Sequence, residues 1–360
     1  MKTFLRSRLV WPAGFLVLLI VINSVARPRF LKVTMRDGEL YGALIDILRQ
    51  SAPLMLVALG MTIVIATRGI DLSVGAVMAV SGAVALTIIA DSDSPGSLGT
   101  VLIAVIVAIL VSMVLGAWNG LLVSAFGIQP IIATLVLMLA GRGAALLITK
   151  GEITTVNSDP LAFIASGYLS VLPFAFFISV AAIVTIALVE RRTALGMLTE
   201  SVGINPEASR LAGVRSRGII WGAYIASGAL AGIAGIIYAS NIKAADANAA
   251  GDFIELYAIL AVVLGGTSLM GGKFSIAGTV IGVFIIKTLE STILFLGIPS
   301  AQKPTFFGAV VMVVVIIQSP RMRAWISPRM RAWMRKGKDG VLNTLIRRSA
   351  ASKQAEEVAS

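Results

Sequence analysis

The feature that most constrains the fold is a series of apolar stretches, each about as long as a membrane-spanning helix. A helix that crosses the hydrocarbon core of a bilayer needs about 20 mainly apolar residues. Hydrophobic residues make up 57% of the chain and charged residues only 13%. A soluble protein does not need so much continuous apolar length, so the sequence predicts an all-α integral membrane protein.

About ten spans are predicted, each placed to within several residues. They lie near 9–26, 51–67, 73–90, 99–124, 129–149, 170–189, 219–240, 254–271, 275–296 and 305–319. They define a transmembrane domain over 1–320 and a basic tail over 321–360. The first stretch lacks a clean cleavage site and is predicted to be a retained helix rather than a signal peptide. Leu40, Leu44, Ile47 and Leu48 suggest a short amphipathic helix on the outer surface.

The basic residues are unevenly shared between the two sides of the membrane. With ten spans, 19 Lys and Arg residues fall on the side of the two termini and eight on the other side. An excess of Lys and Arg marks cytoplasmic loops, so both termini are predicted to be cytoplasmic. The net charge of +12 could also indicate nucleic-acid binding. Because the charges flank apolar spans, the prediction is contact with membrane lipids and not with nucleic acid.

The composition excludes several kinds of chemistry. The chain has no Cys and no His, which removes disulfides, thiolate sites, and the commonest metal ligand and general base. No catalytic or metal site is predicted. The turn Gly265–Lys273 differs from a phosphate loop, because Thr267 stands where a Gly is needed and Phe274 where a Ser or Thr is needed. The chain is therefore predicted to bind no nucleotide or other cofactor, and any ATP is used by a partner.

Two glycine-broken junctions, 66–75 and 265–272, follow the second and eighth spans. Five spans in each half would place the halves in opposite orientations, so an internal repeat would be inverted. Glycine at such junctions either frees the backbone to line a path or allows close helix packing. Asp71 lies in the first junction, where a charge near the bilayer is costly. It could cap the third span, pair with Arg68, or serve transport.

Polar residues near these junctions and spans are candidates for the transport path or gate. They are Asp71, Ser73, Asn119, Gln129, Thr134, Asp246, Asn248 and Glu255. Glu255 could instead cap the eighth span. Lys287 and Glu290 stand three positions apart and are predicted to pair. Arg142 has no local acid, so its partner is expected on another helix.

The predicted cytoplasmic loop 190–218 contains signals for a short capped helix. Asn205 can cap it, Pro206 suits its first position and Gly213 can end it. Such an element could dock a partner, or it could be an ordinary surface helix. The candidate coupling residues are Gly203, Asn205, Pro206, Glu207, Ala208, Ala212 and Gly213.

Four separated stretches together resemble one family. They are 60–75, 116–135, 193–214 and 244–274. This set resembles the membrane-spanning permease subunits of ABC importers for sugars of the ribose, xylose and galactofuranose class. The Ala-Asp-Ala-Asn run at 245–248 and the overall spacing are most similar to the galactofuranose branch.

The resemblance implies a type II importer-like permease in a bacterial inner membrane, which translocates a pentose or hexose. Its partners would be an ABC ATP-binding subunit, a second permease and a periplasmic sugar-binding protein, with loop 193–214 docking on the ATPase. Arg68 and Tyr257 depart from the family pattern. An ion-coupled transporter or channel using Asp71, Glu255 and Glu290, or a membrane scaffold, are the alternatives. The loop and the four-part resemblance favour the permease.

Overall fold

A computed structural model describes residues 9–297, 299, 302, 305–309 and 312. The elements below belong to one compact unit that ends at residue 298. Residues 305–309 are helical. Most of the predicted tenth span, and all of the predicted tail 321–360, lie outside the described residues.

Helices dominate the described chain, with three short antiparallel strand pairs between them. The helices are α1 (Val10–Ala26), α2 (Ala43–Ala66), α3 (Val74–Ala90), α4 (Leu98–Ser124), α5 (Pro130–Ile148), α6 (Asp159–Ser166), α7 (Phe174–Arg192), α8 (Ala194–Ile204), α9 (Pro206–Leu211), α10 (Ser216–Ile242), α11 (Ile254–Leu264) and α12 (Ile276–Phe295). The strands are β1 (Thr34–Arg36), β2 (Glu39–Tyr41), β3 (Thr154–Thr155), β4 (Tyr168–Leu169), β5 (Leu172–Pro173) and β6 (Ala244–Ala245). The pairs are β1 with β2, β3 with β6, and β4 with β5.

The described helices fit an integral membrane protein, but the count of ten spans is not confirmed. Among them, six are long and apolar enough to cross a membrane: α2, α4, α5, α7, α10 and α12. The apolar helices α1 and α3 have 17 residues each, and α11 has 11. The predicted eighth span is therefore too long, since α11 ends at Leu264 and a non-helical turn follows.

Helix α10 lies at the centre of the bundle and packs against α4, α2 and α3. Glycines allow the backbones to approach closely. A Cβ at Gly228 would collide with the carbonyl oxygen of Ser112 and lie 3.0 Å from the Cα of Gly116. Between membrane helices, where lipid tails are as apolar as Leu, such close packing supplies much of the association energy.

The predicted amphipathic helix after the first span is wrong. Residues 34–41 form a hairpin, in which Asp37 and Gly38 have φ of 51° and 84°. An Asp-Gly pair with positive φ at both positions suits the tight turn of a two-residue hairpin. Leu40 therefore lies in β2, while Leu44, Ile47 and Leu48 belong to the first two turns of α2, which begins earlier than predicted.

The turn between α11 and α12 is longer than predicted, since it covers residues 265–275 where only 272–274 were expected. Gly266, Gly271 and Gly272 have φ of 87°, 80° and 84°, a region that favours glycine. A Cβ at Gly265 would collide with the backbone of Gly278 at the start of α12. The glycines therefore serve backbone geometry and close approach here.

We expect Gly228→Ala to destabilise the protein by about 1–3 kcal/mol, because the added methyl group overpacks the contact between α4 and α10. Gly222→Ala in the same helix is the matched control. No atom lies within 4 Å of a Cβ built at Gly222, and Ala favours a helix by up to about 1 kcal/mol over Gly. Thermal unfolding of the purified variants in detergent measures both. Equal melting temperatures would contradict this account of the interface.

Candidate functional site

The link between α2 and α3, residues 67–73, carries a carboxylate into the core of the bundle. Asp71 is only 2% exposed. Its Oδ1 accepts hydrogen bonds from the backbone amide of Ser73 at 3.1 Å and from the Ser73 hydroxyl at 2.6 Å. Hydrogen bonds to a carboxylate favour its ionised form and partly replace water.

Three other helices contribute to the same buried cluster. The Ser227 hydroxyl of α10 donates to Asp71 Oδ2 at 2.9 Å, and Asn119 Nδ2 of α4 donates to Ser73 Oγ at 2.8 Å. Thr134 Oγ1 of α5 lies 3.3 Å from the carbonyl oxygen of Ile70, while the nearest acceptor for its single hydroxyl proton is the Pro130 carbonyl of its own helix at 2.9 Å. The link thus contacts α5 and is hydrogen-bonded to α4 and α10. Asp71, Ser73, Asn119, Thr134 and Ser227 are hereafter the core polar cluster.

Two buried polar atoms beside this cluster have no hydrogen-bond partner: Oδ1 of Asn119 and the hydroxyl of Tyr224. Both side chains are fully buried. The Tyr224 hydroxyl lies over the backbone of the link, since it would be 2.6 Å from a Cβ built at Gly69. Unpaired buried polar groups are unusual and destabilising.

The structure distinguishes the alternatives for Asp71. The predicted ion pair with Arg68 is wrong, because Arg68 Nε instead donates to the carbonyl oxygen of Met270 at 3.1 Å. None of the three ion pairs found in the described part of the chain includes Asp71. The capping prediction is not confirmed, because no side chain caps α3 and Asp71 accepts from the amide of Ser73, the residue just before that helix.

A second polar group forms where segment 246–253 runs between helices without being helical. Asp246 Oδ1 accepts from the amides of Asn248 and Ala249 at 2.9 and 3.1 Å. Arg142 of α5 donates to the carbonyl oxygens of Ala247, at 2.8 Å, and Ala250. Arg142 is thus bound by backbone carbonyls of a loop, where a partner on a helix was expected.

The remaining path candidates differ in their surroundings. Glu255 is buried at the second position of α11, and Phe253, not Glu255, occupies the capping position. A Cβ at Gly75 would lie 2.7 Å from Glu255 Oε2, so the start of α3 is close to this carboxyl group. Gln129 is exposed before α5 and outside the core polar cluster. The predicted Lys287–Glu290 pair is confirmed at 2.8 Å.

The predicted capped helix in loop 190–218 is α9. Asn205 Oδ1 accepts from the amides of Glu207 and Ala208 at 3.1 and 3.0 Å, and Pro206 occupies the first position. The carbonyl of Ala208 accepts from the Ala212 amide, and Gly213 follows with φ of 88°. The Arg210 guanidinium hydrogen-bonds the Glu207 carboxylate and holds its pKa below the usual range.

Gly203, at the end of α8, anchors this loop to the bundle. A Cβ there would overlap the carbonyl oxygen of Ala66, the last residue of α2, and lie 2.5 Å from the amide of Gly272. That amide in turn donates to the Ala66 carbonyl at 2.9 Å. Three backbones meet at this point, so a larger residue at 203 would disturb packing and not only a docking surface.

The loop also exposes apolar side chains. Leu211 is 77% exposed and Met197 is 68% exposed, and Ile204 is exposed as well. Met270 of the neighbouring turn is 77% exposed. Clustered exposed apolar residues outside the spanning helices are typical of a protein contact surface.

No group of three or more Asp or Glu side chains that could hold a metal ion occurs in the described ranges. The core polar cluster joins the link to α4 and α10 through hydrogen bonds, and its side chains are at most 2% exposed. The sequence missed Ser227 and Tyr224, because both lie in the middle of an apolar span with no local motif.

Residues 43–317 match the family model described as "Branched-chain amino acid transport system / permease component". The galactofuranose transporter permease protein YtfT of Escherichia coli strain K12 is 47% identical over 321 residues, which cover 88% of this chain and 92% of that protein. No solved structure matches the chain.

Two further relatives are named for other sugars. The fructose import permease protein FruF of Bifidobacterium longum is 42% identical, covering 89% of this chain and 90% of that protein. The ribose import permease protein RbsC of Bacillus subtilis is 36% identical, covering 84% and 90%. The chain therefore belongs to the family of ABC-importer permease components, as a multi-pass inner-membrane subunit of the sugar-importing group.

Proposed function

We propose that the chain carries a galactofuranose-type sugar across the inner membrane, driven by an ATPase that docks on α8 and α9. The observation that carries the docking assignment is the construction of this loop. It is capped at Asn205, braced by Glu207 and Arg210, and anchored by Gly203 against α2. A rigid element with an exposed apolar surface is suited to receive a partner and to pass on its movement.

The proposed orientation follows from the basic residues. Loop 190–218 would face the cytoplasm together with both termini, as the distribution of Lys and Arg favours. Segment 246–255 would then lie towards the outer side, where a binding protein delivers sugar. Its carbonyls are occupied by Arg142, while Asn248 and Asp252 are exposed and available for hydroxyl groups.

The chain would perform no covalent chemistry and bind no nucleotide. ATP would be hydrolysed by the partner subunit, whose closure rocks two permeases between outward-facing and inward-facing states. The second permease could be identical or distinct. Two halves of opposite orientation would suit such rocking, because inverted repeats exchange conformations about a central site.

The choice of galactofuranose rests on the 47% identity to a galactofuranose permease and on the 245–248 run. Arg68 and Tyr257 are the positions at which this chain departs from the family pattern. Fructose and ribose are the competitors to be tested, since relatives named for these sugars are 42% and 36% identical.

Replacing Leu211 by Asp is expected to weaken ATPase binding at least about tenfold, because a charge would be buried in an apolar contact. Leu169→Asp is the control. Leu169 is also exposed, but it precedes α7, whereas Leu211 follows it at the other end. The affinity of the ATP-binding subunit for each purified permease variant measures the effect. Equal loss in both variants, or in neither, would contradict docking on α9.

We expect proteoliposomes that hold the complete importer to accumulate labelled galactofuranose under two conditions only. ATP must be present on the side of the membrane that the ATPase faces, and the binding protein must be present. Unlabelled galactofuranose should compete better than fructose or ribose. Accumulation without ATP, driven by an ion gradient, would overturn the proposal. Stronger competition by fructose would change the substrate and leave the importer assignment standing.

A further inference from the structure

We propose that link 67–73 transmits the movement of α8 and α9 to helices α4, α5 and α10, with Asp71 as the positioning residue. The inference rests on the proposed docking of an ATPase on this loop. It concerns how the movement reaches the core of the permease.

The end of the link at Thr67 lies beside the loop, next to the last residue of α2 and the glycine-rich turn. Gly203 of α8 packs against the carbonyl of Ala66, where α2 ends, and Gly272 donates to the same carbonyl. Arg68 has φ of 66° and donates to the carbonyl of Met270. With backbones this close, α8 cannot shift without moving the end of α2 or the glycine-rich turn.

The end of the link at Ser73 contacts three helices. The Ser227 hydroxyl of α10 donates to Asp71, and Thr134 Oγ1 of α5 lies 3.3 Å from the Ile70 carbonyl oxygen and 2.9 Å from the Pro130 carbonyl oxygen of its own helix. Ser73 is held by Asn119 of α4. Only a few residues of chain therefore separate the two ends of the link. Each end is held by hydrogen bonds or by close backbone contacts.

The chemistry of Asp71 makes this connection firm. Its carboxylate accepts three hydrogen bonds, from the amide and hydroxyl of Ser73 and from Ser227. Breaking the bond from Ser227 would leave Oδ2 of Asp71 buried without a partner, which is strongly unfavourable. A displaced link must therefore carry α10 and α4 with it or exchange partners.

Groups for such an exchange are already in place, because Asn119 Oδ1 and the Tyr224 hydroxyl are buried and unpaired in this conformation. The Tyr224 hydroxyl can donate to a carboxylate, whereas Asn119 Oδ1 can only accept, for example from an amide or a hydroxyl of the link. The Tyr224 hydroxyl faces the link at Gly69, and Tyr224 stands one turn before Ser227 on α10. A second arrangement that pairs these atoms would give the link two stable positions, as a two-state transmission element requires.

The test compares two serines of α10. Ser227→Ala removes the hydrogen bond to Asp71, whereas Ser240→Ala removes a buried hydroxyl that bonds the carbonyl of Leu161 and the amide of Ala165 in α6. Both are 1% exposed. The complete importer is reconstituted in proteoliposomes, and sugar uptake per ATP hydrolysed is measured together with folded yield.

We expect Ser227→Ala to lower uptake per ATP at least about fivefold, within the usual range of coupling between sites, while ATP hydrolysis persists. Ser240→Ala should keep the wild-type ratio, even if its yield falls. The inference would be overturned if Ser227→Ala kept the wild-type sugar uptake per ATP hydrolysed. It would also be overturned if uptake per ATP and folded yield fell equally in both variants. If the wild-type importer itself fails to take up sugar with ATP, the proposed function fails instead.

Asp71 provides a second, independent comparison. Asp71→Asn keeps one acceptor oxygen for Ser73 and should keep folded yield near the wild type, whereas Asp71→Leu removes all acceptors and should lower it several-fold. Hydrogen exchange of the amides in 67–73 then reports the link itself. ATPase binding should change this exchange in the wild type and change it less in Ser227→Ala. Identical changes in both proteins would contradict transmission through Asp71.

Discussion

The structure depends on the requirement that backbone polar groups inside a membrane bundle find partners within the protein, because lipid offers none. Helices satisfy this requirement along their length, but link 67–73 and segment 246–253 are not helical. Side chains complete them. Ser227 and Asn119 bind polar groups of the link, and Arg142 binds carbonyls of the segment. These polar residues of the helices thus lie beside backbone that leaves helical geometry.

Glycines contribute to the same packing by leaving room for a neighbouring backbone. At Gly203, Gly228 and Gly265 the absence of a side chain lets two backbones touch. These contacts join α8 to α2, α4 to α10, and the start of α12 to the turn before it. Helix α10 also meets both the link and α6, through the hydroxyl groups of Ser227 and Ser240. A permease must move as a few stiff bodies, and backbone contacts of this kind define which parts move together.

Several elements could be predicted closely from local signals. Helix α4 was expected over 99–124 and occupies Leu98–Ser124, because its apolar run is long and unbroken. Helix α9 was predicted from Asn205, Pro206 and Gly213, whose capping chemistry is local. The start of α2 was misplaced because Asp46 and Arg49 extend the helix beyond the apolar run and form a pair at 3.8 Å. The hairpin at Asp37-Gly38 was overlooked although its turn signal is present.

The sequence by itself determined the membrane class and most helix positions, since both depend on residue type within a window of about 20 positions. It also determined the family, through four separated stretches between residues 60 and 274. It also identified Asp71, Ser73, Asn119 and Thr134 as candidates. Only the tertiary structure decided that these four share one cluster and that Gln129 does not. It alone brought in Ser227, 156 positions from Asp71. The physical reason is that hydrogen bonds between helices depend on how the helices pack, and packing over such distances leaves no periodic or local pattern in the chain.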